Sequence, residues 1–278
     1  MAVTNFQRTV WSKQIEKSLK TITSLRSHCS FKHDSESENA KEIKILNVVR
    51  PTIRTYVPGT ALTREGATDG SMTLKIDQFK YFDFEVDDVE KAQSTPGLME
   101  ALSDEAAKGL AEEGDKYVAS LIKAGTEASS NPLPQSSSVV TLSTNNAMAT
   151  VEEGFATLYA NNVPVNSIFY LELTPAAFTI YRQSLTELST NNPEILKKGA
   201  VGKINNAYVC IENLLPSGTT SGRYNVLRTD KAIDFVEQID KVEAYRPQDA
   251  FSDALKGLYC FGALITRPDE IYVIKTNK

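Results

Sequence analysis

Groups that usually carry chemistry are scarce in this chain, which has two histidines, three cysteines and one tryptophan among 278 residues. His28 and His33 lie close together near the N-terminus, beside the polar run HDSESENA. No Ser-His-Asp or Cys-His arrangement is expected around them, and both read as solvated side chains. Cys29, Cys210 and Cys260 are scattered, without CxxC or Cys/His ligand spacing. They read as buried or half-buried thiols in a reducing cytosol. Glycine-rich phosphate loops are missing as well: Gly199, Gly202, Gly218 and Gly222 fall in short turns, in neither a Walker nor a dinucleotide pattern. No run reaches the ~18 apolar residues of a membrane span, and the opening MAVTNFQRTVWSKQ lacks the apolar stretch of a signal peptide. Basic charge is in deficit. With 30 Lys and Arg against 35 Asp and Glu, a net charge of −5 leaves no global field to hold nucleic acid by its phosphates. These absences predict a soluble, intracellular protein that is not an enzyme and carries no metal or cofactor.

What is present is an ordinary globular composition, 41% hydrophobic and 23% charged, in a chain long enough to bury a sizeable core. The most informative stretch is SMTLKIDQFKYFDFEVDDVEKAQSTP, from Ser71 to Pro96. Leu74, Ile76, Phe82, Phe84 and Val86 fall on one face of a long strand, and Lys75, Asp77, Asp83, Glu85 and Asp87 on the other. Upstream, the apolar strand EIKILNVV is joined to it by about twenty polar residues, RPTIRTYVPGTALTREGATDG. Two strands with that connection form a long, exposed β-hairpin that lacks a core of its own and needs a surface to lie on.

An amphipathic helix is expected from about Thr9 to Arg26, with Trp11, Ile15, Leu19, Ile22 and Leu25 along one side. Its stripe would fold back on its own subunit or cover the next. After the hairpin, Ser94 or Thr95 can cap a second helix, Pro96 suits its first turn and Gly125 its stop. Leu98, Leu102, Ala106, Leu110, Tyr117 and Leu121 mark its apolar side, and at about 28 residues it would be ~40 Å long, a structural spine. The Ser/Thr/Pro/Asn-rich residues 126–146 read as a loop and internal boundary. Beyond it, strand–helix–strand units alternate with β-rich segments, which predicts an α+β or mixed α/β fold.

The acidic set Asp83, Glu85, Asp87, Asp88 and Glu90 is the one carboxylate cluster dense enough to raise a metal-dependent enzyme as an alternative. Alternate strand positions spread carboxylates ~7 Å apart, which suits a solvated face or a charged contact strip better than a cage.

Seven segments in the same order resemble the major capsid proteins of tailed bacteriophages, the Hong Kong 97 fold. They are VWSKQIEKSLKT, TYVPGTALTREGATDGSMTLKID, FKYFDFEVDDVEKAQS, the helix LMEALSDEAAKGLAEEGDKYVASLI, SIFYLELTPAAFTIYRQS, GKINNAYVCIENLLP and FSDALKGLYCFGALITRPDEIYV. The resemblance covers essentially the whole chain. It implies an N-terminal arm (1–39), an extended loop (40–86), a peripheral domain with the spine helix (87–130 and 234–260) and a mixed α/β axial domain (131–233 and 261–278). It implies self-assembly as pentamers and hexamers into an icosahedral shell around double-stranded DNA. That DNA would be contacted non-specifically, and the shell assembled in the host bacterial cytoplasm, with a portal protein at one vertex and room for a decoration protein. Candidate interface residues are Arg54, Arg64, Glu65 and Asp69 for ion pairs and Trp11, Tyr56 and Leu62 for apolar anchors. Some members carry a fused scaffolding segment; the roughly forty residues before the first strand are too few for one, so a separately encoded scaffolding protein is expected. Others weld subunits through a loop lysine. No Lys lies between Arg50 and Ser71, so no such cross-link is expected. An encapsulin-like compartment enclosing cargo enzymes is the alternative within the same fold.

Overall fold

The computed structural model describes residues 24–37, 40–48, 52–56, 58–59, 61, 69–87, 98–187, 202–218, 222–248 and 251–277. The helix expected around Trp11 therefore lies outside the described residues, apart from its last three positions, and so do the helix-capping residues Ser94 to Pro96. The two hairpin strands form as expected. β1 (Glu42–Val48) pairs antiparallel with β2 (Asp69–Lys75), Glu42 opposite Lys75 and Val48 opposite Asp69.

The single long strand expected from Ser71 onward is broken at Ile76 and Asp77. Its second half, β3 (Gln78–Asp87), leaves the hairpin and joins a different, three-stranded sheet. The reason is a crossing. The middle strand of that sheet, β9 (Ser252–Ile265), passes beneath the break at Gly262, where a Cβ would stand 2.1 Å from the Lys75 carbonyl oxygen. Only glycine permits so close an approach. The alternation survives the break, because Leu74, Ile76 and Val86 are all buried. The hairpin base also has a small core, Ile43, Leu74 and Ile76 against Val236 and Cys260, so the arm is rooted on its own subunit.

Between β3 and the next sheet lies α1 (Leu98–Thr126), 29 residues and about 44 Å long. Its buried centre is Ala107, Ala111, Val118, Ala119 and Ile122, one position round from the stripe read in the sequence. Of that stripe Leu110 is buried, while Tyr117 and Leu121 only edge the core. Small side chains at the centre let the helix settle closely on β9 and β8 (Ile233–Tyr245), and the larger ones flank the contact. Gly125 lies inside the helix rather than past its end, and its missing side chain makes room for Leu133.

Residues 127–146 are not a free linker. They run beside β10 (Ile271–Thr276), with backbone bonds from Ser136 N to Val273 O at 2.9 Å and Val140 N to Lys275 O at 2.8 Å. Then follow α2 (Ala147–Ala160), β4 (Phe169–Leu173), α3 (Pro175–Glu187), β5 (Lys203–Ile204), β6 (Ala207–Ile211) and β7 (Arg223–Thr229). The second sheet has the order β10-β7-β4-β6-β5, with β4 and β6 parallel and its other pairs antiparallel. One face packs on α2 and α3 through Phe155, Leu158, Phe169, Leu171 and Tyr181. The other face sends Tyr224, Val226, Ile271 and Val273 into the core shared by α1, β8 and β9.

Candidate assembly interface

Large apolar side chains stand exposed on several parts of the surface. On the hairpin and its connection they include Leu46, Ile53, which is 81% exposed, and Tyr56. On β3 they are Phe79 and Tyr81, the latter 78% exposed, and at the β8–β9 turn Phe251 is 82% exposed. Period-two alternation puts Phe79 and Tyr81 on the same outward face as Asp83, Glu85 and Asp87. Beside them opens a groove of about 290 Å³ lined by Tyr81, Phe82, Lys256 and Leu258. Aromatic side chains mixed with acidic ones along an exposed strand fit a contact strip. The run QFKYFDFE carries both aromatics at alternate positions, in line with the carboxylates that follow.

Of the candidate interface residues, Arg54 and Tyr56 are exposed and Asp69 begins β2. Trp11, Leu62, Arg64 and Glu65 lie outside the described residues, as do Asp88 and Glu90 of the acidic set. Asp83 accepts a hydrogen bond from the Tyr245 hydroxyl at 3.0 Å and Glu85 one from Ser252 Oγ at 3.2 Å. Among the described residues no group of three His, Cys, Asp or Glu is placed to hold a metal ion.

Between the two sheets the fold builds a polar joint that sequence reasoning missed. Its centre is Arg228 on β7, fully buried. Nε and Nη2 of Arg228 donate to the buried Glu172 carboxylate on β4 at 2.7–3.1 Å. The same guanidinium donates to the carbonyls of Leu25 at 2.8 Å and His28 at 3.2 Å. A pair of sheet strands thereby clamps residues 25–28, near the N-terminus. Arg26 completes the clamp on the far side. Its backbone N–H donates to Asp115 of α1 at 2.9 Å, and its guanidinium donates to the Tyr259 hydroxyl at 2.7 Å and pairs with Glu237. Ser30 adds backbone bonds to Ile233 and Phe235 of β8.

The expectation of solvated histidines fails at this joint. His28 is 12% exposed, its Nδ1 3.1 Å from Glu172 Oε1 and its Nε2 3.6 Å from Cys210 Sγ, with the ring stacked on Tyr170. A Cys-His pair therefore exists, made from residues 182 positions apart. Burial pulls the imidazole down, but hydrogen bonds to Cys210 and Glu172, with the carboxylate's charge, raise it to about 9. Burial pushes the Glu212 carboxyl up to about 7, against the Ser24 hydroxyl that donates to it. Burial would likewise raise Glu172, yet the Arg228 charge and the bonds from His28 hold it below the usual carboxylate range. The signal for this joint was a single acid inside the apolar strand FYLEL and a single arginine inside YNVLRT, since charges buried in strands need partners.

No family model matches the sequence, and no curated protein is similar to it in sequence. Solved structures do resemble the fold. A structure from Mycobacterium phage Che8 superposes with a TM-score of 0.78 over 91% of this chain and 90% of that one, at 24% identity. The mature capsid of bacteriophage PhiM1 gives 0.72 over 92% and 87%, at 17% identity. A virus-like particle from Pyrococcus furiosus gives 0.58 over 99% and 100%, at 12% identity. At these identities the likeness is one of architecture. The polypeptide has the fold of bacteriophage capsid subunits, the architecture that its sequence motifs resemble.

Proposed function

We propose that this chain is a major capsid protein, a structural rather than catalytic subunit that assembles into a closed shell around packaged DNA. The observation that carries the reading is the combination of the capsid-subunit fold with a projecting β-hairpin whose outer apolar side chains have no partner surface within the described residues. A subunit built that way completes its burial on its neighbours. Heterologous contacts of this kind close into rings of five and six, and obligate ones bury ~2,000–5,000 Å².

In this reading residues 1–39 form the arm and 40–86 the extended loop. Strands β8 and β9 with α1 form the peripheral domain, on which the loop's last strand β3 pairs, and the β4–β7 and β10 sheet with α2 and α3 forms the axial domain. Arg54 and Arg64 with Glu65 and Asp69 supply loop ion pairs, and Trp11, Tyr56 and Leu62 supply anchors. A scaffolding protein, a portal and a decoration protein are the expected partners, the DNA is contained rather than recognised, and the particle is a virion formed in a bacterial cytoplasm.

An enclosing compartment without DNA is the second reading, because a particle described as virus-like, from Pyrococcus furiosus, matches end to end, at a TM-score of 0.58 against 0.78 and 0.72 for two phage structures. The deciding experiment is negative-stain microscopy of the protein co-expressed with its neighbouring genes, followed by nucleic-acid assay of the particles. Closed angular shells that retain DNA are expected. Shells filled with protein alone support the compartment, and monomers under every condition overturn both.

A further inference from the structure

The Cys210–His28 pair lies outside the residues named for the assembly interface. We propose that Cys210 is a peroxide-reactive thiol, with His28 as its proton-transfer partner. Of the three cysteines, Cys29 and Cys260 are buried and only Cys210 is part-exposed. It lies on β6 next to the exposed Tyr208, near the sheet edge that the two-residue β5 barely covers. His28 Nε2 faces its sulfur at 3.6 Å while Nδ1 is held at 3.1 Å by Glu172. That carboxylate is in turn fixed by Arg228, and Tyr170 stacks on the ring with centroids 4.1 Å apart. Nucleophile, proton carrier and orienting carboxylate stand in the order that activated thiols use. The other charged groups of the joint, among the described residues, are Arg26 with Glu237, Glu212 beyond β6 and Asp115 on α1.

A hydroperoxide is the electrophile that uses both groups, because its oxygen leaving group needs a proton and the protonated imidazole can supply one from Nε2. The sulfur, its own proton given to solvent, attacks the terminal oxygen. An S–O bond forms as the O–O bond breaks, and the departing oxygen takes the Nε2 proton and leaves as water or an alcohol. Sulfur is oxidised by two electrons to the sulfenic acid and the peroxide is reduced. Cys29, also beside Arg228, does not compete: burial raises its thiol and keeps it out of reach.

The test treats the full-length protein, in the form in which it purifies, with hydrogen peroxide and the sulfenic-acid trap dimedone near neutral pH. Peptide mass spectrometry then follows each cysteine. Cys210 is expected to be trapped roughly tenfold or more faster in the native protein than in the urea-unfolded chain, and His28→Gln to remove that advantage and alter the pH profile of the rate. Equal rates in native and unfolded protein overturn the proposal, as does an unchanged rate and profile in folded His28→Gln. Should that variant not fold, the native-against-unfolded comparison decides alone.

Discussion

Arg228 and Glu172 show how one pair of side chains ties separate parts of the chain together. Both are fully buried, and the guanidinium also holds the carbonyls of Leu25 and His28. Removing one partner leaves an uncompensated buried charge, whereas removing both leaves only a repacking problem. Glu172→Ala is therefore expected to lower unfolding free energy by about 3–5 kcal/mol, and the double change Glu172→Leu with Arg228→Met by far less. Urea denaturation of the three proteins checks this; a single variant as stable as the parent would contradict it. The same joint sets a pH dependence. His28 rises from 6.5 to about 9 on folding, so its contribution is complete below about 6.5 and is lost as pH climbs through 9. Glu212 rises from 4.5 to about 7 and acts in the same direction, its contribution present below 4.5 and lost through 7. Glu172, held low, has the opposite sign and matters only in acid. Melting temperature is expected to fall steadily as pH rises from about 4.5 to 9, and His28→Asn to flatten the part above 6.5.

Elements carry a second lesson, that the same residue type plays different roles along one chain. Gly262 of β9 exists for a crossing, since a side chain there meets the Lys75 backbone. Gly109 of α1 has open space around its Cα. Gly262→Val is expected to cost about 1–3 kcal/mol or more through overpacking, and Gly109→Ala to stabilise by about 0.5–1 kcal/mol through helix propensity. Thermal unfolding of both separates the two cases, and a neutral Gly262→Val would mean the strands do not cross so closely. Alternation and helical spacing made the hairpin, the spine and most later strands readable in advance. The break at Ile76–Asp77 was not readable, because alternation continues across it and only the partner strand differs. The helix face was misread by one position for a related reason. Large apolar residues such as Leu102 and Tyr117 attract a stripe drawn from sequence, while the contact centres on Ala107, Ala111 and Ala119, where the sheet comes closest.

In the proposed reading the whole molecule is a subunit whose surface anticipates other copies. Its exposed large apolar residues include Leu46, Ile53 and Tyr56 on the hairpin and its connection and Phe79 and Tyr81 on β3, with others such as Val165, Ile168 and Ile211 by the second sheet, all apart from the core that holds the monomer together. Changes there are expected to separate assembly from folding. Tyr81→Glu and Tyr56→Ala should leave the melting temperature of unassembled protein within about 0.5 kcal/mol equivalent, as exposed substitutions do. Each should nevertheless reduce shell yield severalfold in sedimentation of co-expressed material, with central anchors typically worth about 2 kcal/mol or more. Full shell yield from the double variant would remove both side chains from the interface.

By itself the sequence determined the class of fold, the hairpin and the spine, and it narrowed function by what it lacks, because backbone periodicity and composition are local properties that a linear reading captures. Tertiary structure alone decided which sheet β3 joins, which face of α1 is covered, and that His28 and Cys210 meet across 182 residues. Those outcomes depend on the approach of distant segments and on where buried charges find partners, and no local pattern encodes either.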